Sequence, residues 1–439
     1  SMLDILDSAL IRFEDIAVIL PDFAGYPEPT TSLFIFQNND ELRPTGGFIG
    51  TYGLLQTDSG VITSLRTDDV YRLDKNAPKG VLLPDPPGPI RLFLGVKKLY
   101  FRDANWSPDF PTSAALLLDL YRREDPHAPE PKSVVAITPT VLERLMQLTG
   151  PLTIDGVTFT SENVTNTLEY EVEQGFAKKK MPLEDRKVII GKLTDAVVSQ
   201  LHRISSADTP RLLEILDTAL NEKHIMVYHQ NSKTQEQIVR RGWSGAFQIN
   251  TDTLLAYVDA NLGSLKTDQV MERALDIQID HNRARPRAIV TMHYKNLGQF
   301  TWKTTRYQTY ARLFAPGGST LVEGKGFMKK PRSEESGRVD IKSELGYTVF
   351  GGFVAIEPGS ERTVRFTIDL PERTGARARE LTLRIPKQSG THAIPLTLTL
   401  SFGTPVKSAT PAEDRKRWGD NKYEIQTDLR TDREFQIGF

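Results

Sequence analysis

The stretch Ser-Leu-Phe-Ile-Phe at residues 32–36 carries four apolar side chains in succession, and polar residues 37–41 follow it directly. A short, continuous apolar run with polar ends is typical of a buried strand. Residues 48–57 and 60–66 are predicted as two further strands, because Asp-Ser-Gly at residues 58–60 is a hairpin turn signal. A sheet therefore starts near the beginning of the chain.

Helical periodicity alternates with short strand patterns from this sheet up to residue 275. The predicted helices lie at residues 112–123, 139–149, 160–175, 183–204, 209–222 and 232–241, and the predicted strands at 133–138 and 224–228. Alternation of this kind predicts an α/β domain over residues 30–275. Residues 1–29 are predicted as an N-terminal helix that Pro21 ends.

The pattern changes near residue 276, where alternation with period two replaces long helices. The predicted strands lie at residues 276–281, 287–294, 305–314, 346–356, 361–369, 379–385 and 394–401. We expect an all-β sandwich domain over residues 276–404. The Gly- and Lys-rich segment 319–342 is predicted as a mobile loop, and residues 405–439 as a polar tail.

Composition excludes several classes of protein. The 439 residues correspond to two or three domains. The 55 Lys and Arg residues balance 56 Asp and Glu residues, which argues against nucleic-acid binding because that requires a basic face. The absence of Cys excludes disulfides, Cys-zinc sites and Cys nucleophiles. No apolar run approaches the length of a membrane span. Ser1-Met2 is typical of a tag remnant, so a signal or anchor upstream is expected to have been trimmed.

Polar residues follow the first strand in a dense group over residues 37–50. Gly46 and Gly47 would let backbone N–H groups approach an anion, with Asn39 as a ligand contact. The same residues also fit a tight turn between two strands that is held by its own side chains.

Two further groups follow strand or loop ends. Residues 66–72 combine acidic residues with Arg, and such a set could bind Mg²⁺ and phosphate together. The alternative is that these residues form solvated ion pairs with each other. Residues 101–111 precede a helix and are rich in Arg, Asp, Asn and Trp. Their candidate ligand contacts are Asn105, Trp106 and Asp109. Asx turns without chemistry are the alternative for Asn105 and Asp109.

Two further groups of polar residues lie later in the chain. Lys178–Lys180 with Arg186 and Lys187 form a cationic cluster between two helices, which suits either an anionic ligand or a solvated face. Residues 259–268 form a loop with Asn261 and Lys266 as ligand candidates, or a simple domain-junction turn. No Ser-His-Asp arrangement is indicated, and a pair of carboxylates for glycoside hydrolysis stays open.

Long strings in the chain resemble the bacterial domain-of-unknown-function family four thousand and twelve (DUF4012). The strings are FQNNDELRPTGGFIG (36–50), DDVYRLD (68–74), RDANWSPDFPTSA (102–114) and TPTVLERLMQLTGPLTIDG (138–156). The resemblance covers about residues 30–275, and residues 387–391 are similar to the β-rich tail of that family.

The order of elements is also similar to the LytR–CpsA–Psr family of extracytoplasmic phosphotransferases, which attach glycopolymers to peptidoglycan from a polyprenyl-pyrophosphate carrier. The strand end at residues 64–69 is similar to that family's Pro-Arg-Asp motif, residues 142–152 to a helix ending in Gly-Gly-Val, and residues 168–187 to an Arg-rich helix. This resemblance implies a mixed sheet flanked by helices.

The phosphotransferase resemblance also implies roles for individual side chains. The implied phosphate ligands are Arg43, Arg66, Arg102, Arg186 and Lys187. Asp69, Asp103 and Arg102 are the implied catalytic residues, and Asp69 and Asp103 also the implied ligands of Mg²⁺.

We therefore expect an extracytoplasmic protein of the bacterial cell envelope, membrane-anchored in its full-length form. It would bind or transfer a polyprenyl-pyrophosphate-linked glycopolymer, with that glycan or another cell-wall polymer as partner. The alternative is a non-enzymatic surface scaffold that binds a glycan or a protein, with the polar loops purely structural. The sequence leaves open whether the protein is an enzyme.

Overall fold

The computed structural model describes residues 17–247, 253–333, 335–372 and 379–439. The chain divides into two compact units. The first contains the described residues of 1–38, 45–86 and 97–246, and the second those of 39–44, 87–96 and 247–439.

The helices of the two units are short, and all but α2 belong to the first unit. Besides the helical residues 17–24, they are α1 Val70–Asn76, α2 Gly88–Leu94, α3 Phe110–Glu124, α4 Pro139–Thr149, α5 Val164–Tyr170, α6 Phe176–Lys178, α7 Val188–Leu201, α8 Thr209–Asn221 and α9 Ser232–Arg240. Short 3₁₀ turns lie at Phe101–Asp103, Leu183–Asp185 and Thr267–Val270, and a π-helical turn at Glu171–Gly175. None of the helices within the described ranges is long and apolar enough to cross a membrane.

A five-stranded mixed sheet forms the centre of the first unit. The strands of this unit are β1 Thr30–Asn38, β2 Phe48–Asp58, β3 Val61–Asp69, β4 Ser133–Ile137, β5 Leu152–Ile154, β6 Val157–Phe159 and β7 Ile225–His229. Their order in the sheet is β3-β2-β1-β4-β7, with β5 and β6 forming a separate hairpin. Strand β1 runs parallel to β4, and the other pairs are antiparallel. The α/β organisation predicted for this part of the chain is confirmed.

Both faces of this sheet are covered, as alternation along β1 requires. Leu33 and Ile35 pack in one core with Leu117 of α3. Phe34 points to the other face and packs against a cluster that includes Val141 of α4. Helices cover both faces of β1, and this explains why the apolar run at residues 32–36 is continuous.

Two predictions for the first unit differ from the structure at helix ends. Residues 17–24 are helical, so the N-terminal helix continues past Pro21, whereas residues 1–16 lie outside the described residues. The helix predicted at 160–175 is divided, because α5 passes into the π-helical turn Glu171–Gly175.

The second unit is rich in strands. They are β8 Thr253–Leu254, β9 Ala256–Val258, β10 Met271–Asp280, β11 Arg287–Asn296, β12 Tyr307–Ala315, β13 Thr320–Lys325, β14 Asp340–Glu344, β15 Tyr347–Ile356, β16 Glu361–Asp369, β17 Glu380–Ile385, β18 Pro395–Ser401, β19 Ser408–Thr410, β20 Lys422–Asp428 and β21 Arg433–Gly438. They form a six-stranded sheet (β13-β16-β11-β10-β18-β20) and two four-stranded sheets (β14-β15-β12-β9 and β19-β21-β17-β8). One hydrophobic core takes side chains from all three sheets, among them Ile277, Leu313 and Leu383.

Several strands lie where the sequence predicted none. Strand β13 falls in segment 319–342 and β14 begins in it, and β19, β20 and β21 fall in the predicted polar tail 405–439. Strands β13 and β14 are each at the edge of a sheet. Edge strands keep charged side chains, so their sequences lack the apolar alternation of central strands.

Candidate functional site

Two of the quoted strings are joined by buried hydrogen bonds in the first unit. The Gln37 Oε1 atom accepts from Thr45 Oγ1 (3.1 Å), from the Gly47 N–H (3.2 Å) and from Asn105 Nδ2 (3.1 Å). Asn105 Nδ2 also donates to the Gly47 carbonyl oxygen at 2.8 Å. Gly46 has a φ of 132°, and an added Cβ would lie 3.2 Å from Gln37 Oε1. The Gly47 N–H is thus used by Gln37, so the expected anion-binding turn is a side-chain-capped turn.

Three segments of the first unit meet around the ring of Tyr71. The Lys187 Nζ atom lies 5.0 Å from the ring centre, and the Arg102 guanidinium carbon lies 5.4 Å from it. Asp69 ends β3 and Asp103 follows Arg102 along the chain. We call Asp69, Tyr71, Arg102, Asp103 and Lys187 the Tyr71 cluster. Four of these five residues are among those to which the resemblance gives catalytic or phosphate-binding roles.

Asp69 holds two elements of the cluster in place. Its Oδ1 atom accepts from the Tyr71 N–H at 3.0 Å, which caps α1. The same oxygen accepts from Lys187 Nζ at 2.7 Å. Lys187 also donates to the Gly50 carbonyl oxygen. Burial lowers the pKa of Lys187, and the charge of Asp69 opposes that shift.

Arg102 is bound by two carboxylates. It forms an ion pair with Asp74, and its Nε lies 3.6 Å from Asp103 Oδ2. Burial lowers the pKa of Arg102, but the charges of Asp74 and Asp103 outweigh burial and leave that pKa raised. Arg102 also lies over the ring of Tyr100, with 4.8 Å between the guanidinium carbon and the ring centre. Both rings thus lie within the distance at which an aromatic face attracts a guanidinium cation.

A protonated carboxyl group lies behind Arg102. Glu124, at the end of α3, is 2% exposed and accepts from the Phe101 N–H at 3.1 Å. Burial raises the pKa of Glu124 to about 9, and its hydrogen bond with Asp74 and the charge of Asp74 add to the shift. Burial also raises the pKa of Asp74, which the hydrogen bond with Glu124 opposes. At neutral pH the pair therefore shares one proton.

The cluster is closed except at Tyr71 and at the edge of Arg102. Tyr71 is 45% exposed, whereas the side chains of Lys187 and Arg102 are 9% and 19% exposed. The two cations and two carboxylates of the cluster balance, and the carboxylate of Asp74 next to Arg102 leaves one net negative charge. Within the described residues, no group of three or more His, Asp or Glu side chains is arranged to hold a metal ion.

Several predicted site residues lie elsewhere. Arg66 is exposed on β3, and its odd spacing from Asp69 puts it on the opposite face of the strand. Arg186 donates to Glu173 at 2.9 Å. Asp109 caps α3, because its Oδ2 accepts from the Thr112 N–H at 3.0 Å, and Trp106 is partly buried in the same loop.

Residues 39–44 belong to the second unit. Arg43 is 3% exposed there and donates to the Asn261 carbonyl oxygen and, at 3.1 Å, to Glu41. Asn39 donates to the Gly390 carbonyl oxygen at 3.1 Å. Asn261, a candidate of the loop 259–268, bonds within that loop, to Leu265 and Asp268 among others. The structure therefore divides the group at residues 37–50 between two units.

Sequence reasoning missed Tyr71, Asp74 and Glu124. A signal for Glu124 was present, because it follows Leu117 and Leu120 at helical spacing and so falls on the apolar face of α3. An acid on that face must be neutral or paired. Tyr71 and Asp74 both lie in the string DDVYRLD, where nothing local indicates their partners.

Part of the first unit matches a known protein family. Residues 28–172 match a family model described as "Protein of unknown function (DUF4012)". This match covers about a third of the chain. The DUF4012 segment includes Asp69, Tyr71, Arg102 and Asp103, whereas Lys187 lies beyond it. No curated protein matches the sequence.

Solved structures match only at low similarity. A putative nutrient binding protein from Legionella pneumophila is 8% identical, with 42% of this chain and 71% of that chain covered and a TM-score of 0.27. An M1 zinc metallopeptidase from Deinococcus radiodurans is 9% identical, with 39% and 43% covered and a TM-score of 0.20. The chain thus spans less than half of that metallopeptidase. Neither match informs the fold or function of the DUF4012 segment.

Proposed function

We propose that this protein binds the diphosphate of a polyprenyl-pyrophosphate-linked glycan at the Tyr71 cluster, in the bacterial cell envelope outside the cytoplasmic membrane. One observation supports this proposal above the others. Lys187 and Arg102 come from distant segments, and each lies within 5.4 Å of the centre of the same exposed ring. Lysine and arginine side chains held near one surface position are groups that proteins use to recognise phosphate.

The net charge of the cluster indicates which form of the ligand it favours. One excess negative charge opposes a bare diphosphate. Asp69 and Asp103 supply hard oxygen donors, and Mg²⁺ commonly binds through one or two carboxylates together with substrate phosphates. The donor set therefore fits a diphosphate that arrives with Mg²⁺, and the bound metal would stabilise charge on the leaving phosphate. Lys187 and Arg102 would donate to phosphate oxygens, and the ring of Tyr71 would contact the first isoprene unit.

The test is isothermal titration of the full chain with farnesyl diphosphate and Mg²⁺. We expect Lys187→Gln to weaken binding about tenfold to a hundredfold, the effect of losing one charge-assisted hydrogen bond of about 1.5–3 kcal/mol. Lys192→Gln is the matched control, because Lys192 lies on the adjacent helix α7 and pairs with Asp155 at an exposed site. Tyr71→Ala tests the same site without removing a buried charge. Equal affinity of all variants would refute the proposal.

A second candidate function is a non-enzymatic envelope scaffold. The observation in its favour is that Lys187 and Arg102 both already have carboxylate partners. On this reading, Arg102→Gln lowers the melting temperature and the wild-type chain shows no heat of binding with the diphosphate. A phosphotransferase would in contrast transfer the glycan with its adjacent phosphate to an acceptor hydroxyl, break the bond between the two phosphates and release isoprenyl phosphate, which thin-layer chromatography of the lipid products measures.

A further inference from the structure

The second unit contains a cavity of about 590 Å³ at one end of its six-stranded sheet. Residues 39–42 supply one part of its lining and residues 390–395 another. These segments are 351 positions apart at their point of contact, where Asn39 Nδ2 donates to the Gly390 carbonyl oxygen at 3.1 Å. The volume lies within the range of roughly 300–1,000 Å³ that is typical of ligand pockets.

Buried ion pairs hold the wall of the cavity in place. Asp268 Oδ2 accepts from the Leu42 N–H at 2.9 Å and from Asn261 Nδ2 at 2.7 Å. The other carboxylate oxygen of Asp268 accepts from Arg273, which also donates to Asp259 at 3.2 Å. These hydrogen bonds and ion pairs hold the cavity wall in one conformation before a ligand binds. A preformed site loses little entropy on binding.

The floor of the cavity is formed by the outward face of the six-stranded sheet at one end of its strands. Along β10, Glu272 and Ala274 face outward, because the alternate residues Leu275 and Ile277 are buried in the core. His293 lies opposite Ala274 on β11. Strand ends thus present a carboxylate and an imidazole beside a small apolar side chain.

The charges of the lining disfavour an anion. Its cations are Arg273 and Lys295, and its acids are Asp40, Asp268, Glu272 and Glu361. Arg273 is bound by two carboxylates, and Lys295 lies 3.2 Å from Glu361. A phosphate or carboxylate ligand would meet cations that are already neutralised and an excess of acids. The cavity is therefore of a different kind from the Tyr71 cluster.

The remaining lining alternates hydrogen-bonding groups with small apolar ones. Amide, hydroxyl, imidazole and carboxylate groups come from Asn39, Thr391, His293 and Glu272, and apolar surface from Met271, Ala274, Ala393, Ile394 and Pro395. Such a lining can both donate and accept hydrogen bonds. A sugar ring matches it, because its edge carries hydroxyl groups and its faces carry C–H groups.

We propose that this cavity binds a neutral saccharide, a short oligosaccharide without phosphate or carboxylate groups. The inference does not depend on diphosphate binding at the Tyr71 cluster, because it uses no residue of that cluster. It assigns a function in recognition to residues 39–42 and 390–395, which overlap the strings at 36–50 and 387–391 that resemble the family.

The test is saturation-transfer NMR of the full chain with a panel of cellobiose, maltose and N,N′-diacetylchitobiose. Ala274→Trp fills the floor of the cavity and should weaken binding at least tenfold. Gln278→Trp is the matched control, since Gln278 faces outward on the same strand but does not line the cavity. Glu272→Gln should weaken binding severalfold through loss of charge-assisted hydrogen bonds.

The outcomes separate this inference from the proposed function. Saccharide binding that survives Lys187→Gln and fails in Ala274→Trp supports the cavity, whatever the diphosphate titration gives. No transfer to any member of the panel overturns the inference, and so does equal binding by Ala274→Trp and the wild type. Binding of tetralysine in place of the sugars also overturns it, because the excess of acids would then select a basic peptide.

Discussion

The carboxyl pair of Glu124 and Asp74 makes the stability of the first unit depend on pH in an unusual direction. Folded Glu124 has a pKa of about 9 because burial and Asp74 disfavour its charged form. In the unfolded chain the pKa is near the ordinary 4.5. Between these values the folded state binds more protons than the unfolded state. The contribution of Glu124 to stability is therefore complete below pH 4.5 and is lost as pH rises toward 9.

The substitution Glu124→Gln isolates this effect. Glutamine keeps the shape of the protonated acid, accepts from the Phe101 N–H and donates to Asp74, but it does not titrate. The wild type should lose about 1.4 kcal/mol per pH unit relative to the variant. The variant should thus gain about 3 kcal/mol over the wild type from pH 6 to pH 8.

Guanidinium denaturation at pH 6, 7 and 8, followed by tryptophan fluorescence and by circular dichroism, measures this difference. Asp119→Asn is the control, because Asp119 lies on α3 and forms a surface pair with Arg123. Its difference from the wild type should stay constant across this range. A Glu124→Gln difference that does not change with pH would refute the assignment of a shared proton.

Three further substitutions test the buried polar structure by thermal denaturation. Asn105→Ala removes two hydrogen bonds at a residue that is 1% exposed and should cost about 2–3 kcal/mol; a melting temperature equal to that of the wild type would contradict this. Gly46→Ala should destabilise by more than about 1 kcal/mol, since its φ of 132° suits only glycine, and a neutral effect would show that the turn relaxes. Arg273→Ala leaves two buried acids without their cation and should cost about 3–5 kcal/mol, whereas Arg287→Ala removes a surface pair and should change the melting temperature much less; similar losses would argue against a buried network.

Local patterns predicted most elements of the first unit. The helix predicted at 139–149 is Pro139–Thr149 in the structure, because proline at its start and glycine after its end are signals contained in the sequence itself. Strands β13 and β14 escaped prediction because their side chains are largely exposed at sheet edges. An exposed edge imposes no apolar alternation for a pattern to detect.

Four of the residues predicted for the site lie near one another in the structure. Asp69, Arg102, Asp103 and Lys187 do come together, but Arg66 lies on the other face of β3 and Arg43 packs in the second unit. The partners Asp74 and Glu124 were missed, since hydrogen bonds between distant segments leave no spacing in the chain. Their effect on charge decides which ligand the cluster favours.

The sequence by itself determined the classes of element, the absence of cysteine chemistry and the residue types available for binding. Those properties depend on composition and on periodicities of a few residues. Only the tertiary structure decided that Lys187 and Arg102 share the ring of Tyr71, and that residues 39–42 and 390–395 line one cavity. Such contacts join residues far apart in the chain, and they depend on how whole strands and helices pack rather than on any local pattern.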